Sequence, residues 1–144
     1  MSDLVPDRLG TCPTLLRGES HRRAARKLLR QSHALGIRLI APPLFESETE
    51  SVIQQEVFFG YVSIAEADKA LRALERAGIQ IIQDARVKER ARQIARQFNQ
   101  DRVYDSTYAA LAELRGCELW TADKAFYEAV KTALPFVKYL LDYQ

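Results

Sequence analysis

The stretch Tyr104-Asp105-Ser106-Thr107-Tyr108-Ala109-Ala110-Leu111-Ala112-Glu113-Leu114-Arg115-Gly116-Cys117-Glu118-Leu119-Trp120-Thr121 holds an alanine-rich helix, its stop and a strand. Alanine and leucine favour the helix, and Gly116 can take the left-handed conformation on which helices often end. Leu119, Trp120 and Thr121 then suit a pleated, buried ladder. A helix starting near Asp123 follows directly. Helix, strand and helix in such close order imply crossover connections between parallel strands.

The same alternation extends in both directions. Upstream, Leu4-Val5 begins a short strand that Pro6 is expected to interrupt. A helix is predicted from Ser20 to about Leu35, with Ala24, Ala25, Leu28 and Leu29 on one face and Arg22, Arg23, Arg26 and Arg30 on another. Strand Ile37–Ala41 closes at Pro42-Pro43, and a helix then runs to about Phe59. Ser63 and Glu66 form a capping-box pattern for a helix to Ala77. Strand Ile79–Ile82 leads to a helix capped by Asp84 that reaches Phe98, and downstream Phe136–Leu140 reads as a last strand. The expected fold class is therefore α/β, with a mainly parallel central sheet of about five strands and helices on both faces. No linker, repeat or low-complexity tract divides residues 1–144, so one domain is expected.

Composition narrows the function. Apolar residues form 47% of the chain, enough for a full core. With 21 basic and 19 acidic residues the net charge is +2, so any surface for nucleic acid has to be local. Cys12 and Cys117 have no CxxC spacing and no His cluster, and read as reduced thiols. No signal peptide is visible, and no apolar run approaches the ~20 residues of a membrane span. The expectation is a soluble cytoplasmic protein without a membrane partner.

The polar residues that matter lie at the carboxyl ends of the strands, where open α/β sheets bind ligands. Asp7 follows the first strand, and Glu48 lies one turn into the helix after the second. Asp105 opens the alanine-rich helix, and Asp123 stands two residues past Thr121. Taken singly, each has a plainer role as a helix cap, a dipole partner or a solvated charge. Together they form a repulsive cluster, since two like charges ~4 Å apart cost roughly 4 kcal/mol at an effective dielectric of 20. Such a cluster must raise its pKa values, pair with cations or bind a metal. Oxygen ligands without His or Cys favour Mg²⁺ or Mn²⁺, which suit phosphodiester hydrolysis.

The order of these motifs resembles the PIN-domain family, in particular the VapC-like toxin ribonucleases. Ile40–Glu48 is similar to that family's proline-rich strand end and acid-bearing helix. Val103–Ala112 is similar to its tyrosine–aspartate helix, and Leu119–Lys124 to its threonine–x–aspartate strand end. The resemblance implies a PIN-like three-layer α/β/α fold and a metal site of Asp7, Glu48, Asp105 and Asp123, supported by the Thr121 hydroxyl. It further implies a Mg²⁺- or Mn²⁺-dependent ribonuclease acting on RNA, a co-encoded antitoxin as partner, and homodimers. The first strand departs from the pattern at Pro6, Leu9, Gly10 and Pro13, and Ser51 stands where an asparagine is common. The alternative is hence a catalytically degenerate PIN-like module that binds RNA or protein. A receiver-like domain, suggested by Asp84, lacks the acidic pair expected after its first strand.

Other features have plainer readings. The stripes Arg22-Arg23-Arg26-Arg30 and Arg86-Arg90-Arg96 are expected as solvated helix faces, with phosphate contact as the alternative. Phe58, Phe59 and Tyr61 are expected in the core, with a dimer or antitoxin surface as the alternative. Trp120 is expected in the core, His21 and His33 at the surface. Lys124 reads equally as a phosphate contact or a helix-surface charge.

Overall fold

A computed structural model of the chain describes residues 2–7 and 19–143. The strands are β1 (Asp3–Pro6), β2 (Arg38–Ala41), β3 (Gln80–Ile81), β4 (Glu118–Thr121) and β5 (Val137–Tyr139). The helices are α1 (Glu19–Ala34), α2 (Leu44–Phe58), α3 (Ile64–Arg76), α4 (Val87–Gln97), α5 (Tyr104–Arg115) and α6 (Lys124–Val130). All four strand pairings are parallel and the order is β3-β2-β1-β4-β5, so β1 occupies the middle. The chain winds outward from β1 through β2 to β3, then returns to the other side of β1 for β4 and β5. That reversal between β1 and β4 is the topological switch point, where a crevice opens at the carboxyl edge.

The side-chain alternation of the strands divides the core into two layers. Val5, Ile40 and Leu119 face one side, where they pack with Phe45, Ala91, Ile94, Ala110, Leu111 and Phe126. Leu4 and Leu39 face the other, with Ala24, Ala25 and Leu28 of α1 and with Leu140. Helices on both faces make the three-layer α/β/α arrangement that the sequence pattern implies. At the edge away from the crevice, Arg38 grips Asp3 through two hydrogen bonds of 2.8 and 2.9 Å. The forked pairing holds the Asp3 carboxyl below its usual range and fixes the register of β1 on β2.

Helix α5 lies on β1 and β4 with α4 alongside it. Its run Tyr108–Ala112 is completely buried, and the alanines allow the close approach. Arg90 of α4 reaches Glu113 of α5 with bonds of 2.6 and 3.1 Å. Gly116 ends the helix at φ 63°. The capping box of Ser63 and Glu66 forms as the sequence pattern expects.

Several expectations need correction. Pro6 does not interrupt β1 but is its last residue, in register with Trp120. The missing N–H is tolerated because the Asp7 N–H resumes the ladder, donating to the Trp120 carbonyl at 3.1 Å. Ser20, the expected start of the first helix, lies inside α1, which includes Glu19. Asp84 does not cap α4, which starts at Val87. Phe58, Phe59 and Tyr61 are 76%, 62% and 59% exposed instead of buried, with Phe58 edge-on to Phe59 and Tyr61 tilted against Phe59. Trp120 is only partly buried, edge-on to Tyr143. The departures from the family pattern at Leu9, Gly10 and Pro13, like Cys12, lie outside the described residues.

Since Ala110 is wholly enclosed, Ala110→Leu is expected to destabilise the fold by about 1–3 kcal/mol through overpacking. A lowered urea midpoint with an unchanged m-value is the expected reading.

Candidate active site

The carboxylate of Asp7 sits at the switch point and is only 3% exposed. The end of the neighbouring strand holds it. The Thr121 hydroxyl donates to Oδ2 at 3.1 Å, and the Ala122 N–H donates to the same oxygen at 2.7 Å. Thr121 is itself buried, and its oxygen accepts the Asp123 N–H at 3.0 Å. Asp7, Thr121 and Asp123 are thus joined through one hydroxyl. The remaining geometry of Asp123 is that of a cap, since Oδ1 accepts the Phe126 N–H at 2.9 Å at the start of α6.

A second pair comes from the helices. The Tyr108 hydroxyl donates to Glu48 Oε1 at 2.8 Å, joining α5 to α2 across 60 residues. Tyr108 is completely buried and follows Asp105 by three positions, so both lie on neighbouring parts of one helix face. The Glu48 carboxylate is thereby drawn to the face of α5 that carries Asp105. Glu48, Asp105 and Asp123 are all half-buried. Two sets therefore form: Asp7, Thr121 and Asp123 around the strand ends, and Glu48, Tyr108 and Asp105 around α5. Among the described residues, no group of three or more His, Cys, Asp or Glu side chains forms a site that could hold a metal ion.

Residues 14–131 match the family model described as the PIN domain. The chain belongs to the PIN-domain family. As a family, PIN domains are nuclease-type proteins that generally act on RNA, typically with divalent metals. A solved structure, the crystal structure of PAE2754 from Pyrobaculum aerophilum, is similar to this PIN domain with a TM-score of 0.64 at 19% sequence identity. The alignment covers 96% of this chain and 84% of that one, and at this identity it supports the fold. No curated protein matches the sequence. The family match begins after Asp7, whose place in the PIN domain rests on β1 being the middle strand.

The donor chemistry of the PIN domain's acids suits a hard cation, because the polar groups gathered here are carboxylates and hydroxyls. Other candidates have structural partners. Asp84 accepts from the Arg86 backbone N–H at 3.0 Å and from its guanidinium at 3.0 and 2.7 Å, which pulls its pKa to about 2. That turn accounts for the acid on which the receiver-like reading stood. Arg22 and Arg26 pair with Glu19, and Arg90 with Glu113. His21 lies 3.3 Å from the Tyr139 hydroxyl, while His33 and Lys124 are exposed. Burial, first, and the nearby Asp3 push the Cys117 thiol up to about 11, so it stays protonated at neutral pH.

Two parts of the site escaped the sequence reading. One is the Ala122 N–H, which no residue type reveals. The other is Tyr108, for which a signal existed: a hydroxyl on the buried face of an alanine helix needs a partner. Tyr108→Phe is expected to lower stability by about 1.5 kcal/mol, the usual scale for a hydrogen bond to a charged group. Thermal unfolding of the two proteins at neutral pH measures that difference.

Proposed function

We propose that the chain is a metal-dependent endoribonuclease, hydrolysing RNA phosphodiester bonds with Mg²⁺ or Mn²⁺ held by Asp7, Glu48, Asp105 and Asp123. The observation that carries this reading is the buried Asp7 carboxylate, oriented by Thr121 and Ala122 at the switch point of the sheet. When bound, a divalent cation supplies an activated water and offsets the charge that develops on the phosphate during in-line attack. The chain's own groups prepare the place. Thr121 and Ala122 fix one oxygen of Asp7, Tyr108 orients Glu48, and Asp105 projects from the first turn of the same helix. A pre-set carboxylate frame spares the reorganisation that solvent would otherwise require.

In this reading residues 1–144 act as one PIN-like domain in the cytoplasm. The motifs shared with VapC-like toxins support a role as the toxin of a toxin–antitoxin pair, active as a homodimer and neutralised by a cognate antitoxin. None of the described helices is long and apolar enough to cross a membrane.

A second reading has its own observation. Asp123 spends one carboxylate oxygen on capping α6, and no three acids gather as a metal group among the described residues. A PIN domain whose site is incomplete would bind RNA or protein without cutting.

Cleavage of single-stranded and structured RNAs with Mg²⁺ or Mn²⁺, and with EDTA, separates the two. The nuclease reading expects metal-dependent cutting that falls by roughly two to four orders of magnitude in Asp105→Asn, with circular dichroism unchanged. Intact RNA under every condition, from a folded protein, contradicts the nuclease reading and favours the binding module.

A further inference from the structure

Beside the acids, a groove of about 750 Å³ opens between the carboxyl ends of β2 and β3 and the starts of α4 and α5. That volume lies in the range of small-molecule sites. Leu44, Ile82, Val87 and Ala91 give it an apolar floor, and the ring of Tyr104, 42% exposed, stands at its edge. Tyr104 directly precedes Asp105 in α5, and Leu44 opens α2 one turn before Glu48. The groove therefore adjoins the two helices that carry Glu48 and Asp105.

Charge adds a second observation. Lys88 and Arg92 also line the groove, one turn apart on α4, and both are exposed. Neither forms an ion pair among the described residues, whereas Arg86 and Arg90 beside them are bound to Asp84 and Glu113. Asp84 faces the same groove, but its carboxylate is taken up by Arg86 and leaves the two cations uncompensated. A flat ring, an apolar floor and two uncommitted cations match a base and its flanking phosphates. An apolar protein segment would leave both cations unanswered.

We propose that this groove is a nucleobase subsite for single-stranded RNA, in which Tyr104 stacks on a base next to the cut and Lys88 and Arg92 hold the adjoining phosphates. The inference rests on the ribonuclease reading and names its substrate as unpaired RNA. An unpaired strand is needed because only a splayed base presents its face to the ring.

The test uses fluorescence anisotropy in the Asp105→Asn background with Mg²⁺ present. The probes are a labelled oligouridine and an abasic oligomer of equal length. Tyr104→Ala is expected to weaken oligouridine binding by roughly fivefold to a hundredfold and to leave the abasic oligomer unchanged. Tyr104→Phe, which keeps the ring, is expected to bind as the parent does. Lys88→Ala and Arg92→Ala are expected to weaken both oligomers alike, each reducing the slope of log affinity against log salt by about 0.7. Affinities within about twofold of the parent in every variant overturn the subsite and leave the groove to a protein. An equal loss for both oligomers in Tyr104→Ala also overturns it, since stacking cannot act without bases. Cleavage by the unmutated chain, run in parallel, keeps the two readings apart. Cutting with Tyr104-independent binding defeats the subsite alone, and Tyr104-dependent binding without cutting sustains the subsite while defeating the nuclease.

Discussion

A carboxylate that is 3% exposed at the end of the central strand must be satisfied by the chain around it, and the site is arranged to do so. The end of β4 supplies the Thr121 hydroxyl and the Ala122 N–H, both to the same oxygen of Asp7. The arrangement depends on β1 and β4 being parallel neighbours in register, with Pro6 opposite Trp120. It depends in turn on α5, whose alanines let the helix lie close on both strands. Burial of Asp7, the sheet order and the composition of α5 are thus one constraint seen at three levels.

Tyr108 is the counterpart on the helical layer. It fills the core and spends its hydroxyl on Glu48, so packing and site orientation come from one side chain. Such double use suits a small domain, where few residues are left to form a separate supporting shell. It also ties the position of an acid to the stability of the core, because the tyrosine cannot move without opening both.

Much of the fold was legible in the sequence because local chemistry marks where its elements begin and end. The alternation of strands and amphipathic helices, the glycine stop at Gly116 and the Ser63–Glu66 capping box all reflect local chemistry that survives in the structure. Pro6 misled because its effect depends on which neighbour faces the missing N–H, a tertiary fact. Phe58, Phe59 and Tyr61 misled because apolar character alone does not decide burial at a helix junction. The acids were legible as strand-end residues. Their partners were less so: a hydrogen bond spanning 114 residues, as from Thr121 to Asp7, leaves no local trace. Asp84 shows the converse, a strand-end acid whose role is a turn with Arg86.

Mn²⁺ binding followed by electron paramagnetic resonance tests most directly whether Asp7 anchors a divalent metal site. Titration of the intact chain is expected to remove free Mn²⁺ signal in a saturable way, and Asp7→Asn, an isosteric change that keeps the Thr121 and Ala122 neighbours, is expected to abolish that uptake. Equal Mn²⁺ binding by both folded proteins, or none by the unmutated chain, would contradict the account.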